Sequence, residues 1–373
     1  MITSLDPHSR YMNEKAWRDM QETTSGEFGG LGIEVTMEDG LVKVVAPMDD
    51  TPAAKAGVMS GDLITHINGE AVQGLTLEQA VNKMKGPINT KTRLKIVRKV
   101  TEAPIEVSIM REVIHVRPVR YHTEGGDIGY VRITTFNEQT TDALKKAIAD
   151  ISRQIPPGKL AGYVVDLRNN PGGLLDQAVK VCKKFLPRNQ LVVSTEGRDE
   201  KQKSEYRATG RDRHPSMPIV LLVNYGSASA SEIVAGCLQD ATGLGVCKAI
   251  VVGEQTFGKG SVQSILPLQD GSALRLTTAK YYTPSHKVIH EKGITPDIIV
   301  PMSDEEEHDV FLKRTPGALE TLDLKEQERV RNAHDVQLDR AMDLLKGISL
   351  YSKRAPAQER RVAKGEKVAD VRR

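Results

Sequence analysis

Three short apolar runs, each followed by a turn of small or polar residues, constrain the fold of this chain more than any other feature. The runs span 160–167, 219–224 and 249–253 and consist mostly of Val, Leu and Ile, as buried strands of parallel sheets do. Apolar residues with helical spacing lie between them, at 174–185 and 233–236. Strands that alternate with helices predict an α/β fold with a mainly parallel sheet, whose ligands bind at the carboxyl ends of the strands.

The turn after the second run contains a candidate nucleophile. Residues 226–232 read Gly-Ser-Ala-Ser-Ala-Ser-Glu, and the apolar residues that follow indicate that the serines open a buried helix. Small side chains let a substrate backbone approach Ser229, and free N–H groups at a helix start can stabilise a developing oxyanion. Gly/Ser/Ala clusters are more often loops or caps, so this block alone does not establish catalysis.

A candidate base follows the third run. Lys259 stands among glycines at the exit of the strand 249–253, where burial can lower the pKa of its amine towards neutrality. A neutral amine can take the proton of a serine hydroxyl, which is otherwise a poor nucleophile. Ser229 and Lys259 together are therefore typical of a serine–lysine peptidase.

Two other enzyme classes use residues found in the same region. Residues 253–259 fit the first seven positions of a phosphate-binding loop, but Gly260 occupies the place of the Ser or Thr that reaches Mg²⁺. His286 or His290 could form a Ser-His-Asp triad with Asp297. Both histidines lie in a polar segment, which favours solvated loop positions. An NTPase and a histidine triad remain the weaker alternatives.

Six ordered blocks of the sequence resemble those of the bacterial C-terminal processing peptidases, also called tail-specific proteases. The blocks lie at 4–9, 26–33, 166–173, 226–232, 257–263 and 282–297, so the similarity extends from Ser4 to about Pro301. The resemblance implies a serine endopeptidase that uses no metal and no cofactor. It also implies an α/β core similar to the crotonase and Clp-protease folds, with a small β-rich PDZ domain.

The resemblance implies a role for each matching residue of the peptidase blocks. Ser229 matches the family's nucleophile and Lys259 its general base, while Gln263 matches the glutamine that orients the lysine amine. The oxyanion hole is expected to consist of the N–H of Ala230 and of a glycine in the Pro-Gly-Gly turn. The preferred glycine is Gly172, and the alternative is Gly173.

One departure from the family pattern affects this assignment. The stretch 239–248, between the serine helix and the strand before the lysine, is longer than the usual link. We expect an insertion near 241–247 in a surface turn, which costs little free energy when the loop is flexible. The serine–lysine assignment stands, and the geometry of the pair is left open.

The segment before the peptidase blocks resembles a PDZ domain. Residues 30–33 read Gly-Leu-Gly-Ile ahead of a strand, and glycines there let successive N–H groups converge on a terminal carboxylate. Residues 77–84 place their apolar side chains on one helix face, so a peptide can add as a strand between that helix and the strand at Ile33. The predicted peptide-binding residues are Gly30, Leu31, Gly32 and Ile33. A peptide-binding PDZ protein with a silent peptidase core is the alternative function.

Length and composition fit this organisation. The chain has 373 residues, 39% of them hydrophobic and 27% charged, which is long enough for two or three domains. The predicted units are an N-terminal remnant of a helical segment at 1–27, a PDZ domain at 28–112, the peptidase core at 113–302, a helical segment at 303–350 and a disordered basic tail at 351–373. A net charge of +3 does not indicate nucleic-acid binding. No apolar run approaches the roughly 18 residues of a membrane span.

The three cysteines show neither disulfide nor metal spacing. Cys182 and Cys237 fall in apolar helical patterns and are predicted to be core residues, whereas Cys247 lies in the inserted stretch and is predicted to be exposed.

Partners and location follow only from the resemblance. We expect substrates that are proteins or peptides with free C-termini, and a homo-oligomer or a bound adaptor protein is left open. The first residues show no signal peptide, yet the similarity begins within a segment that in the family follows an export signal. The chain is therefore expected to be shortened at its front and its parent protein to be periplasmic.

Overall fold

A computed structural model describes residues 2–48, 51–98, 103–199, 203–210, 217–314, 319 and 322–354. The chain forms two compact units. Unit 1 comprises Met1–Gly26, Arg117–Met302 and Val336–Arg373, and unit 2 comprises Glu27–Val116 and Ser303–Asp335. Each unit is built around its own sheets.

A 3-10 turn at Ile2–Ser4 precedes the first strand. The strands are β1 Arg10–Met12, β2 Glu27–Gly30, β3 Ile33–Glu38, β4 Leu41–Pro47, β5 Leu63–Ile67, β6 Glu70–Ala71, β7 Lys91–Val97, β8 Ile105–Met110, β9 Glu112–His115, β10 Val119–Glu124, β11 Ile128–Ile133, β12 Gly162–Asp166, β13 Leu191–Gly197, β14 Ser204–Arg207, β15 Ile219–Val223, β16 Ala249–Gly253, β17 Ser261–Pro267, β18 Ala273–Tyr282 and β19 Ile298–Ile299. The helices are α1 Glu14–Ser25, α2 Pro52–Lys55, α3 Leu77–Met84, α4 Thr140–Gln154, α5 Leu175–Cys182, α6 Ala230–Gly243, α7 Asp304–Arg314, α8 Leu324–Asn332 and α9 Val336–Arg354.

The central sheet of unit 1 confirms the predicted parallel core. Its order is β10-β11-β12-β15-β16-β19, and only the β10–β11 pair is antiparallel. The crossover connections that parallel pairing requires contain α4, α5 and α6 between β11 and β16, and contain β17 and β18 between β16 and β19. The carboxyl ends of β12 and β15 consequently lie side by side, and the turns that follow them meet at one edge of the sheet.

Both faces of this sheet are covered, which explains why its strands read as continuous apolar runs. Successive residues alternate between faces, so Val165 and Leu221 belong to the cluster that includes residues of α4, α5 and α6. Val164 and Leu222 belong to the opposite cluster, which includes Leu345 of α9. Each fully buried Val or Leu side chain stabilises the fold by roughly 1.5–3 kcal/mol.

A second sheet of unit 1 contains an N-terminal strand that the sequence did not predict. Its order is β1-β18-β13-β14, with β17 also paired to β18. The predicted helical remnant at 1–27 is therefore wrong in part, because Arg10–Met12 pairs antiparallel with β18 before α1 begins. Met12 is 1% exposed, and the burial of this side chain anchors the strand.

Unit 2 contains a sheet in the order β3-β4-β5-β7-β8, with β6 on β5 and a separate β2–β9 pair. Its core includes Val42, Ile64 and Leu94. Helix α3 begins with a capping box in which Thr76 and Gln79 exchange hydrogen bonds. Helices α7 and α8 belong to unit 2 and α9 to unit 1, so the predicted segment 303–350 is divided between the two units.

Three local predictions are corrected by the structure. Helix α6 continues to Gly243, so only residues 244–248 form the connection predicted as an insertion in a surface turn. Cys247 is 8% exposed, because this connection folds back on α6 and the Cys247 thiol donates to the Leu238 carbonyl. Helix α9 reaches Arg354, and the remainder of the predicted tail lies outside the described residues. None of the helices in the described ranges is long and apolar enough to cross a membrane.

Candidate active site

Two turns at the carboxyl edge of the central sheet are bonded to each other. The glycine turn, residues 167–173, follows β12, and the serine turn, residues 224–229, follows β15. The N–H of Asn169 donates to Asn224 Oδ1 at 2.9 Å, and Asn224 Nδ2 donates to Asn169 Oδ1 at 2.9 Å. These reciprocal bonds fix the two turns against one another.

Ser229 occupies a strained position between the serine turn and α6. Its φ of 54° and ψ of −110° lie outside the usual regions for a residue with a side chain, at a cost on the order of 1–3 kcal/mol. The residue is 8% exposed. Sharp strand-to-helix turns of this kind present nucleophilic serines in other hydrolases, so the strain itself is a sign of function.

The glycine turn approaches the serine too closely for any side chain. A Cβ built on Gly172 would lie 2.8 Å from the Cβ of Ser229 and 2.9 Å from the amide nitrogen of Ala230. Gly172 has a φ of +101°, and Gly173 a φ of +140° with no room for a Cβ beside the Phe136 carbonyl. Backbone N–H groups of this turn can therefore reach a substrate carbonyl bound at Ser229.

The two glycines differ in which amide is available. The Gly172 N–H donates to Asn170 Oδ1 at 2.9 Å, which favours the amide of Gly173 over the predicted amide of Gly172 as the oxyanion donor. Phe136 and Gly173 form a parallel β-bridge, in which the Phe136 N–H donates to the Gly172 carbonyl and the Leu174 N–H donates to the Phe136 carbonyl. The amide of Gly173 is therefore directed away from Phe136. Within the described residues, neither the Gly173 N–H nor the Ala230 N–H donates a hydrogen bond.

Ser229 and Lys259 line one cavity of about 570 Å³. Its walls also include Gly172, Gly173 and Gln263, so the structure brings together most of the predicted catalytic residues. Tyr281 and Val262 contribute apolar surface beside them. Such a mixture of apolar walls and a few polar groups is typical of substrate sites.

The environment of Lys259 favours its neutral form. Burial is the main cause that lowers the pKa of its amine, and the positive charges of Arg275 and Arg10 lower it further. The charge of Glu232 acts in the opposite direction. The amine donates no hydrogen bond to any described residue, Ser229 included. Catalytic hydrogen bonds often tighten only when substrate binds.

Gln263 does not hold the lysine amine as the resemblance implied. Its Nε2 donates to Ser261 Oγ at 2.8 Å, and its Oε1 accepts from Arg275 Nη2 at 3.3 Å. The side chain is therefore engaged along β17 and β18. It lines the cavity without a hydrogen bond to the Lys259 amine, so its role in orienting that amine stays a prediction.

Glu232 is a site residue that the sequence analysis missed. Its carboxylate accepts from the N–H groups of Ser229 at 2.7 Å, Gly258 at 2.7 Å and Lys259 at 2.9 Å, and from Thr256 Oγ1 at 2.6 Å. Burial raises the pKa of Glu232, and these hydrogen bonds oppose part of that rise. One fully buried side chain thus holds the nucleophile and the base in register.

The N-terminal block at 4–9 lies beside the same site. Thr277 of β18 donates through its N–H to Ser9 Oγ at 3.0 Å and through Oγ1 to Asp6 Oδ1 at 2.9 Å. Hydrogen bonding, first from Ser9, lowers the pKa of Asp6 to about 2. Burial and the charge of Lys259 lower the pKa of His8.

The two alternative enzyme classes do not fit the geometry. Neither His286 nor His290 lines the cavity of Ser229. His286 pairs with Glu196 at 2.9 Å on the surface, and Asp297 is engaged by Gln239 and by the N–H of Val251. Residues 254–260 lead from β16 directly into β17, so the helix that a phosphate-binding loop requires does not follow. Among the described residues, no three His, Cys, Asp or Glu side chains form a group able to hold a metal ion.

Unit 2 contains a separate groove between β3 and α3. It is lined by all four predicted peptide-binding residues, together with Phe28, Val35, Val81, Met84 and Lys85. Within the described residues, the N–H groups of Leu31 and Gly32 donate no hydrogen bond. Gly32 has a φ of +77° and no room for a Cβ beside Thr51. The two free amides are suited to a terminal carboxylate.

Comparison with known proteins identifies a peptidase family and a PDZ domain in this chain. Residues 127–300 match peptidase family S41, and residues 43–98 match a PDZ domain. The chain is 53% identical over 300 residues to the carboxy-terminal-processing protease of Bartonella bacilliformis, covering 80% of this chain and 68% of that protein. It is 38% identical over 307 residues to the carboxyl-terminal-processing protease of Synechocystis, covering 80% and 69%.

A solved structure of the photosystem II D1 C-terminal processing protease is similar at 30% identity, with a TM-score of 0.47 and coverage of 79% of this chain and 78% of that one. An S41 peptidase core and a PDZ domain, each with its own groove, define a protease that carries a peptide-binding module. The chain belongs to the carboxy-terminal processing proteases of peptidase family S41.

Proposed function

We propose that this protein is a serine endopeptidase in which Ser229 attacks the substrate carbonyl and Lys259 takes the serine proton. The supporting observation is the placement of both residues on one cavity, with Ser229 in a strained turn and Lys259 in surroundings that lower the pKa of its amine. Neutral Lys259 accepts the proton as the Ser229 Oγ–carbonyl bond forms, and returns it to the departing amine.

The tetrahedral oxyanion requires donors that are free before substrate binds. The N–H groups of Gly173 and Ala230 meet that requirement, whereas the Gly172 amide is committed to Asn170. Collapse of the tetrahedral species gives an acyl-enzyme on Ser229, which water then hydrolyses. Glu232 serves as a positioning residue, because its carboxylate bonds the main chain on both sides of the reaction.

Substrate capture is assigned to the groove of unit 2. The free amides of Leu31 and Gly32 would bind the C-terminal carboxylate, while the peptide adds as a strand to β3. Cleavage then occurs upstream of the captured end. The periplasmic location implied by the resemblance also stays a prediction, which fractionation of cells that express the parent protein would test.

A binding protein with a silent peptidase core is the second candidate, because the Lys259 amine makes no hydrogen bond to Ser229. The test uses an unfolded protein with a free or an amidated C-terminus, in EDTA, with Ser229→Ala and Lys259→Ala variants. We expect EDTA-resistant cleavage that both substitutions abolish and that amidation weakens. Full activity of Ser229→Ala would refute the proposal, and binding of C-terminal peptides without any cleavage would establish the second candidate.

A further inference from the structure

Two arginines lie opposite each other on neighbouring strands of the second sheet of unit 1, and one of them, Arg275, lines the active-site cavity. Arg10 of β1 lies directly opposite Arg275 of β18 in the antiparallel register. Like charges in that position destabilise a sheet. Neither guanidinium forms an ion pair with any residue that the structure describes.

Arg275 is incompletely satisfied in a position where water is partly excluded. Its side chain is half-buried and lines the cavity together with Ser229 and Lys259. The Nε atom is buried and has no hydrogen-bond partner, and Nη2 makes a single long bond of 3.3 Å to Gln263 Oε1. A buried donor without an acceptor costs on the order of 1–3 kcal/mol.

The chemistry of the missing partner follows from the geometry of the guanidinium. Nε and one Nη form an edge that binds the two oxygens of a carboxylate. Burial and the charge of Arg10 both lower the pKa of Arg275, and the attraction of a bound anion would offset both unfavourable effects. A peptide substrate has two kinds of carboxylate that could bind Arg275, namely its C-terminal α-carboxylate and the side chains of Asp and Glu.

We propose that Arg275, supported by Arg10, forms a subsite that binds a carboxylate of the substrate beside the scissile bond. This inference rests on the proposed peptidase function of the cavity. It assigns a preference for acidic substrate positions to unit 1, independent of the carboxylate that the groove of unit 2 would bind. Arg275 thereby becomes a specificity-determining residue that contacts substrate directly.

The test compares four peptides of one cleavable sequence, with a free or amidated C-terminus and with Glu or Gln next to the cleavage site. We expect the wild type to favour the carboxylate at one or both of these positions, by roughly 10-fold or more in kcat/KM at the position that Arg275 binds. Arg275→Gln is expected to remove that preference, Arg275→Lys to keep part of it and Arg10→Gln to reduce it. The position that loses its preference identifies which carboxylate is bound.

The control and the opposing outcomes separate this inference from the proposed function. Arg207→Gln removes a surface arginine of the same sheet, paired with Glu205, and should leave the preference unchanged. If Arg275→Gln kept the full preference for the carboxylate at both positions, the inference would be overturned. An equal loss of kcat/KM on all four peptides, with a shifted pH profile, would also overturn it. If the wild type cleaves no peptide, binding of the same four peptides to Ser229→Ala gives the answer without turnover.

Discussion

Replacement of Glu232 by glutamine tests whether one buried carboxylate holds the active site together. Each carboxylate oxygen accepts two hydrogen bonds, from Thr256 and Gly258 at Oε1 and from Ser229 and Lys259 at Oε2. Glutamine keeps one oxygen and turns the other into an NH₂ group that faces two donors. Two bonds to a charged acceptor, each about 1.5–3 kcal/mol, are lost.

Part of that loss is returned, because Glu232→Gln also removes a buried charge that is costly to desolvate. We expect a net destabilisation of about 2–4 kcal/mol, which lowers the melting temperature of a unit of this size by roughly 5–15 °C. Displacement of the nucleophile or the base should lower kcat by about 100-fold.

Thermal unfolding and peptide cleavage are measured on Glu232→Gln beside Glu291→Gln, whose wild-type side chain is 85% exposed. We expect the exposed variant to behave as the wild type does. If Glu232→Gln matched the wild type in both melting temperature and kcat, the positioning role assigned to this carboxylate would be refuted.

Two further predictions concern other parts of the molecule. Gly32→Ala should abolish binding of C-terminal peptides, measured by fluorescence anisotropy, because a Cβ at this position would clash with Thr51. Gly57 has the same φ of +77° but lies in open space, so Gly57→Ala is the control and should bind these peptides normally. Equal binding by both variants would disprove the role of the Gly32 amide. Lys259→Met should unfold at higher urea concentration than the wild type at pH 7, because burial of the protonated Lys259 amine is unfavourable, as its lowered pKa indicates. The difference in stability between Lys259→Met and the wild type should disappear as the pH rises towards 10.5, the ordinary pKa of lysine, where the unfolded chain also loses the proton. A stability difference that stayed constant with pH, or that an exposed-lysine variant such as Lys91→Met reproduced, would contradict the unfavourable burial of Lys259.

The sequence predicted the parts of the site that depend on local pattern. Apolar runs located β12, β15 and β16, and the known rule for parallel sheets placed Ser229 beside the Gly-Gly turn. Glu232 could have been found as well, since Ser followed by Glu three residues later is the pattern of a capping box. The Gly, Ser and Ala residues that precede Glu232 are instead typical of a nucleophile turn.

The remaining features of the site depend on contacts between residues in different elements, which the local sequence pattern does not predict. The Asn170 side chain occupies the Gly172 amide, and the pairing of β17 with β18 draws Gln263 towards Arg275. The pairing of Arg10 with Arg275 joins residues that lie far apart in the sequence, with no local signal. Cys247 was predicted to be exposed because a helix that extends to Gly243 was read as a loop.

The pH dependence of serine acylation tests the central claim most directly. A fluorophosphonate reacts with an activated serine, and mass spectrometry of the digested protein identifies the modified residue. We predict modification of Ser229 at a rate that rises with pH through an apparent pKa below the 10.5 of ordinary lysine, and almost no reaction in Lys259→Met. Modification of a different residue, or an unchanged rate in Lys259→Met, would contradict the account.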